Sequence, residues 1–130
     1  MARRPYKLTP LEPTEAQIKK AVVDALWMDV RVVEVMRINC GKLATPGRRF
    51  GIYDAVKYWI RGQEPRTTGV CDVQGQLCDG RRLVLECKTR TGGFQDGQEA
   101  YIDHAVAHGA VGGVVRSADE ALDIVRRAFT

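Results

Sequence analysis

The sequence lacks several features that would assign it to a broad class of protein. No apolar run approaches the roughly 20 residues that a membrane-spanning helix needs. The basic segment from Met1 to Lys7 has no apolar stretch of the kind found in a secretion signal. No linker, repeat or low-complexity segment divides the 130 residues. We therefore expect one cytoplasmic domain, residues 1–130, with a basic N-terminal arm at 1–13 and no membrane association.

Motifs that bind metal through cysteine or histidine are also missing. No two of the four cysteines have the C-x2-C spacing of a zinc knuckle. Cys71 and Cys87 lie in strand-like runs, so we expect buried free thiols. His104 and His108 are four residues apart in a predicted helix, but no H-E-x-x-H motif or third ligand accompanies them. We interpret them as partly exposed helix residues.

The charge is mildly basic. The formal net charge is +4 and the sequence pI is about 9.0. This excess is compatible with a polyanionic partner, and equally with an ordinary solvated surface. Charge alone therefore leaves both interpretations open.

The first predicted helix begins with a capping box. Thr14 and Gln17 have the required spacing, and apolar residues then recur at helical spacing for about 14 residues from Ile18 onward. Glu15 lies three residues before Ile18. We expect Glu15 to face inward at the head of this apolar stripe.

The remaining pattern predicts a mixed α/β sheet of four or five strands flanked by helices. The predicted strands are Arg31–Asn39, Tyr53–Ile60, Val70–Leu77, Arg82–Lys88 and Ala110–Val115. A second helix begins with a capping box at Asp96–Glu99, carries Gln98 at the head of its apolar stripe and stops at Gly109; Ser117 caps a third.

One strand carries charge on a single face. Because side chains alternate along a strand, Glu86 and Lys88 share one face, while Leu83, Leu85 and Cys87 share the other and suit a core. An isolated E-x-K on a strand more often points at solvent. Whether this strand carries a site therefore depends on where the other polar residues of the sequence lie.

Three such residues favour a site. Asp72 lies fourteen residues before Glu86, and Glu15 and Gln98 head the inward stripes of two helices. Burying these groups costs free energy unless they are paired or bound to metal. Mg²⁺ prefers carboxylate and carbonyl oxygens, so Asp72, Glu86 and the backbone carbonyl of Cys87 are candidate ligands for Mg²⁺ or Mn²⁺. Lys88 would position a water and offset charge on a phosphate.

This site requires one particular strand register. A two-residue loop at Asp79-Gly80 would place Asp72 opposite Cys87, on the face away from Glu86. A three-residue loop with Gly80 in the left-handed region, or a bulge, would instead place Asp72 on the face of Glu86. The sequence predicts that the second arrangement holds.

The series of motifs resembles the VRR-NUC branch of the PD-(D/E)XK nucleases, over nearly the whole chain. The residues that carry the resemblance are Glu15, Asn39-Cys40-Gly41, Gly69-Val70-Cys71-Asp72, Glu86-Cys87-Lys88, Gln98 and Tyr101. One departure is Cys71, because the family usually has proline before its aspartate. The resemblance implies a restriction-endonuclease-like sheet, Asp72 and Glu86 as metal ligands and Lys88 as the water-positioning lysine. It also implies that Glu15 supports the metal and that Gln98 braces the site or contacts the scissile strand.

The resemblance further implies a homodimeric, phage- or bacterium-type endonuclease. The expected substrate is branched DNA such as four-way junctions or flaps. The alternatives are a non-catalytic DNA-binding or scaffolding module with the same fold, and an endonuclease without structural selectivity. A solvated surface role is the alternative for each expected DNA contact. Those contacts are Asn39, Arg48, Arg49, Lys57, Arg90 and Tyr101.

Overall fold

The computed structural model describes residues 11–38, 57–66, 69–93 and 98–130, and of Gln98 only the backbone. Its elements are α1 (Glu15–Trp27), β1 (Val32–Arg37), β2 (Val73–Leu77), β3 (Arg82–Cys87), α2 (Gln98–Ala107), β4 (Val111–Val115) and α3 (Ala118–Ala128). The strands form one sheet in the order β1-β2-β3-β4. β2 pairs antiparallel with both β1 and β3, and β4 is parallel to β3. The predicted mixed α/β sheet flanked by helices is confirmed.

The predicted helix starts are also confirmed where they are described. The Thr14 hydroxyl accepts a hydrogen bond from the Gln17 N–H at 3.2 Å, and the Gln17 side chain accepts one from the Thr14 N–H at 2.9 Å. At α3 the Ser117 hydroxyl accepts from the Glu120 N–H at 3.2 Å. These bonds satisfy backbone donors that have no partner inside a helix. The capping box predicted before α2 lies largely outside the described residues.

Helices cover both faces of the sheet. α1 and α3 pack on the face that carries Leu83, Leu85 and Cys87, where they form the larger core. α2 packs over Val84 on the opposite face and forms a smaller core. Glu86, near the end of the inner strand β3, is therefore removed from water, whereas Arg82 at the start of the strand is exposed. No helix in the described ranges is long and apolar enough to cross a bilayer.

One predicted strand is not confirmed. Most of Tyr53–Ile60 lies outside the described residues. In the part that is described, Tyr58 forms only an isolated antiparallel bridge with Arg66. A strand is therefore the wrong assignment for residues 57–60, where the pairing extends no further than this bridge.

The β2–β3 hairpin has the register that the site requires. Val73 pairs with Leu85, and the Leu77 N–H donates to the Arg81 carbonyl at 2.8 Å. The loop is therefore the three residues Cys78-Asp79-Gly80, with Gly80 at φ +92°. This left-handed conformation favours glycine because it has no Cβ. The predicted three-residue loop is confirmed, and β2 shows no bulge opposite β3.

Candidate functional site

Asp72 and Glu86 lie opposite each other one position beyond the regular ladder. The Asp72 N–H donates to Glu86 Oε2 at 3.1 Å, and the Cys87 N–H donates to Asp72 Oδ2, also at 3.1 Å. Side-chain carboxylates thus take the place of backbone carbonyls where β2 and β3 stop pairing. These bonds fix the direction of both carboxylates, and the predicted proximity of Asp72 and Glu86 is confirmed.

Glu15 is the third acid of the group. It is the first residue of α1, and its partly buried carboxylate completes a cluster with Asp72 and Glu86. One oxygen from each residue lies within 4.8 Å of the other two. The apolar stripe of α1, which buries Ile18 on the sheet, positions Glu15 here. The expectation that Glu15 faces inward is confirmed.

Two lysines accompany the three acids. The Lys88 ammonium lies 3.5 Å from Glu86 Oε1, and the Lys19 ammonium lies 3.1 Å from Asp72 Oδ1. Lys88 is only 4% exposed. Its placement on the strand face shared with Glu86 agrees with the alternation predicted from sequence. The cluster therefore contains three carboxyl groups and only two ammonium groups.

The electrostatics of the cluster are dominated by the burial of Glu86, which is 0% exposed. Burial first and the neighbouring charge of Asp72 second raise the pKa of Glu86 from 4.5 to about 8, against the opposing effect of Lys88. Glu86 thus binds a proton more readily than an ordinary glutamate. A bound cation would favour its charged form.

Cys87 contributes through its backbone, not its thiol. Its side chain lies in the core beneath α1 and α3, and burial raises the pKa of the thiol to about 12, with Asp72 adding to the effect. The Lys88 N–H donates to Val115 on β4. Because the two ends of a planar trans peptide point in opposite directions, the Cys87 carbonyl points toward β2 and Asp72. The backbone carbonyl therefore faces the cluster.

The donor set fits a small divalent cation. Opposite oxygens around Mg²⁺ are about 4.2 Å apart, since each lies about 2.1 Å from the ion. At most one pair among three ligands can be opposite, and neighbouring oxygens lie about 3.0 Å apart. The carboxylate oxygens, which lie within 4.8 Å of one another, would therefore close around the ion on binding. All the candidate ligands are hard oxygens, which Mg²⁺ and Mn²⁺ prefer over thiols and imidazoles. The residues present therefore fit such an ion.

Tyr101 is placed away from the acids. Its hydroxyl accepts hydrogen bonds from Gln74 Nε2 at 3.0 Å and from an Arg82 guanidinium N–H at 2.7 Å. Gln74 lies two residues from Asp72 on β2 and Arg82 lies four residues from Glu86 on β3, both on the hairpin-loop side of the acids. The Tyr101 ring also meets Tyr58 edge to face at 5.4 Å. These contacts brace α2 against the sheet, and the predicted contact of Tyr101 with DNA stays a prediction.

The other expected DNA contacts lie on the surface or outside the described residues. Arg90 lies two residues beyond Lys88, with its side chain 82% exposed and 3.7 Å from Glu12. Lys57 is exposed beside the Trp59 ring, at 5.6 Å. Their exposure leaves both available to a phosphate. Outside the described residues lie Asn39, Arg48 and Arg49, together with the side chain of Gln98.

The sequence interpretation missed Lys19. The signal was present, because Lys19 lies four residues after Glu15 and so shares its helix face. A lysine on a helix usually lies in solvent, so the sequence favoured a surface position for Lys19 and did not predict its contact with Asp72.

The histidine pair forms no metal cluster with acids or cysteines in the described part of the chain, where the acidic cluster alone has suitable geometry. Its rings stack at 4.4 Å, and His108 Nδ1 lies 2.9 Å from the His104 carbonyl oxygen. His108 is exposed and His104 partly buried, as expected of helix surface residues.

Comparisons of the chain with protein-family models, with curated proteins and with solved structures each found no match. The membership of the VRR-NUC branch suggested by the motifs stays a prediction.

Proposed function

We propose that the protein is a metal-dependent nuclease that hydrolyses phosphodiester bonds in DNA. The observation that carries the proposal is the convergence of Glu15, Asp72 and Glu86 within 4.8 Å, with Lys88 on the same strand face as Glu86. Buried acids without a binding role are unfavourable, so their grouping supports a cation site. The basic sequence pI of about 9.0 is compatible with a polyanionic substrate.

Each residue has a role that follows from its position. Asp72 and Glu86 would hold the ion, with Glu15 and the Cys87 carbonyl completing the oxygen donors. When bound, Mg²⁺ or Mn²⁺ supplies Lewis acidity toward a phosphate and lowers the pKa of water. Lys88, fixed beside Glu86 at 3.5 Å, is placed to orient the attacking water and to offset negative charge that develops on the phosphate.

The test is a cleavage assay on linear, flap and four-way DNA with Mg²⁺, with Mn²⁺ and with EDTA. Asp72→Asn and Glu86→Gln should each lower cleavage by at least about a hundredfold, because each removes a charged ligand while keeping an oxygen. EDTA should abolish cleavage by the wild-type protein, and added metal should restore it.

The matched control is Asp24→Asn, because Asp24 lies on the same helix as Glu15 but its side chain is 64% exposed. This variant should cleave at the wild-type rate. Cleavage that persists in EDTA, or Asp72→Asn with full activity, would refute the proposal. DNA binding without any cleavage would instead favour a non-catalytic binding module.

We further propose that the substrate is branched DNA and that the protein acts as a homodimer in the bacterial or phage-infected cytoplasm. A branched substrate with two scissile strands is matched by a two-fold assembly with two sites. Light scattering should give a mass near twice the 14.5 kDa of the chain. A monomer that cuts both strands of a junction would contradict the dimer.

A further inference from the structure

Two consecutive lysines on α1 have different surroundings. The Lys19 side chain is 12% exposed, and its ammonium lies 3.1 Å from Asp72 Oδ1. The Lys20 side chain is 73% exposed and pairs with Asp24 one helical turn further along. A surface lysine gains little from such an i,i+4 pair. Lys19 has given up most of its hydration, and its ammonium is placed at one of the acids of the cluster.

Both oxygens of Asp72 are occupied in this arrangement. Oδ2 accepts from the Cys87 N–H at 3.1 Å, and Oδ1 faces Lys19. The Cys87 N–H, at the end of β3, already occupies one lone pair of Oδ2. A divalent ion that takes Oδ1 as its ligand, the oxygen with no backbone donor, must therefore approach the side where the ammonium lies.

We infer that Lys19 is an internal cation that competes with the divalent metal for Asp72 and so sets the metal affinity of the site. This inference rests on the proposed function. In the metal-free protein Lys19 balances part of the charge of the acid cluster. Metal binding requires the ammonium to move away from Oδ1, and the remaining positive charge nearby opposes the ion. Lys19 is thus a positioning residue that regulates occupancy.

Removing the charge should strengthen metal binding. At a separation of a few ångströms and the effective dielectric of a protein surface, deleting one like charge tightens binding of a divalent ion by about tenfold or more. Lys19→Met keeps most of the length of the side chain and removes the ammonium. Lys19→Gln is a second neutral variant whose amide still donates to Asp72, in case the methionine variant does not fold.

The experiment is calorimetric titration of the full chain with Mn²⁺, without DNA, after far-UV circular dichroism has confirmed folding. The variants are Lys19→Met, Lys19→Gln, Lys19→Arg and the matched control Lys20→Met. We expect the neutral variants at position 19 to bind Mn²⁺ about tenfold more tightly than the wild type. Lys19→Arg keeps the positive charge and should therefore bind Mn²⁺ with the wild-type affinity. Lys20→Met should also leave the affinity unchanged. Adding Asp72→Asn to Lys19→Met should abolish the gain.

The outcomes separate this inference from the proposed function. Neutral variants that bind Mn²⁺ no more tightly than a wild type that does bind it would overturn the role of Lys19 alone. Absence of Mn²⁺ binding in the wild type and in the neutral variants would overturn both. If the affinity for Mn²⁺ changes as predicted but the protein cleaves no DNA, the role of Lys19 is supported and the proposed nuclease activity is overturned.

Discussion

Replacing Glu86 with glutamine should change how the stability of the protein depends on pH. The pKa of Glu86 is raised from 4.5 to about 8, first by burial and then by the charge of Asp72. The folded protein keeps a proton on Glu86 that the unfolded chain releases near pH 4.5. The stabilising contribution of this proton is therefore complete below pH 4.5 and is lost as the pH rises toward 8.

The size of the effect follows from the pKa. Each pH unit between the unfolded and the folded pKa is worth about 1.4 kcal/mol, so the full window corresponds to at most roughly 5 kcal/mol. Glu86→Gln cannot titrate and should lose none of this stability. At low pH the variant should be about as stable as the wild type, because protonated glutamate and glutamine are both neutral and both present an oxygen to Lys88. By pH 8 its relative stability should have improved by about 3–5 kcal/mol.

The assay is urea denaturation in EDTA at pH 5, 6.5 and 8. The matched control is Glu34→Gln, an exposed glutamate on β1, which should follow the wild-type profile. The comparison of the two glutamine variants isolates Glu86 from all other groups that titrate in this range. Wild-type and Glu86→Gln profiles that run parallel between pH 5 and 8 would refute the reasoning.

Three further outcomes test the fold and the site. Gly75→Ala should lower the free energy of unfolding, measured by urea denaturation, by about 2–4 kcal/mol, because a Cβ there would lie 2.2 Å from the Glu34 carbonyl oxygen. The control in the same assay is Gly93→Ala, because there is open space around a Cβ at that position. Tyr101→Phe should lose about 1–2 kcal/mol of stability, since Gln74 and Arg82 lose their shared acceptor, while cleavage is unchanged. Mn²⁺ at a hundred times its dissociation constant should stabilise the wild type by about 2.7 kcal/mol, measured by thermal shift, and should not stabilise Asp72→Asn.

The parts of the site that follow local rules could be predicted from sequence. Side-chain alternation put Glu86 and Lys88 on one face of β3, and the geometry of a three-residue loop ending in Gly80 put Asp72 opposite Glu86. The capping box at Thr14 fixed where α1 begins and therefore where Glu15 lies. Each of these rules depends only on residues close together in the chain.

The remaining features depend on packing between distant segments. Periodicity shows which stripe of a helix is apolar but not which face of the sheet that stripe covers. The sequence therefore could not show that α2 would cover the face carrying Val84 and Glu86. Helical spacing put Lys19 on the face of Glu15, but it could not show that Lys19 and Asp72, fifty-three residues apart, would meet at 3.1 Å.

In the β2–β3 hairpin the acids lie at the end of the strands opposite the loop, so the loop can change in sequence without moving them. An extra residue inside either strand would turn Asp72 and Glu86 to opposite faces, whereas an extra residue in the exposed loop would leave the pairing intact. The loop begins at Cys78, six residues beyond Asp72 and therefore about 20 Å along the extended chain of β2. The exposed Cys78 thiol in this loop is therefore a natural attachment point for a fluorophore in a Cys40→Ser background, because Cys71 and Cys87 are buried. Such a label would report DNA docking from the far end of the hairpin without touching the acids.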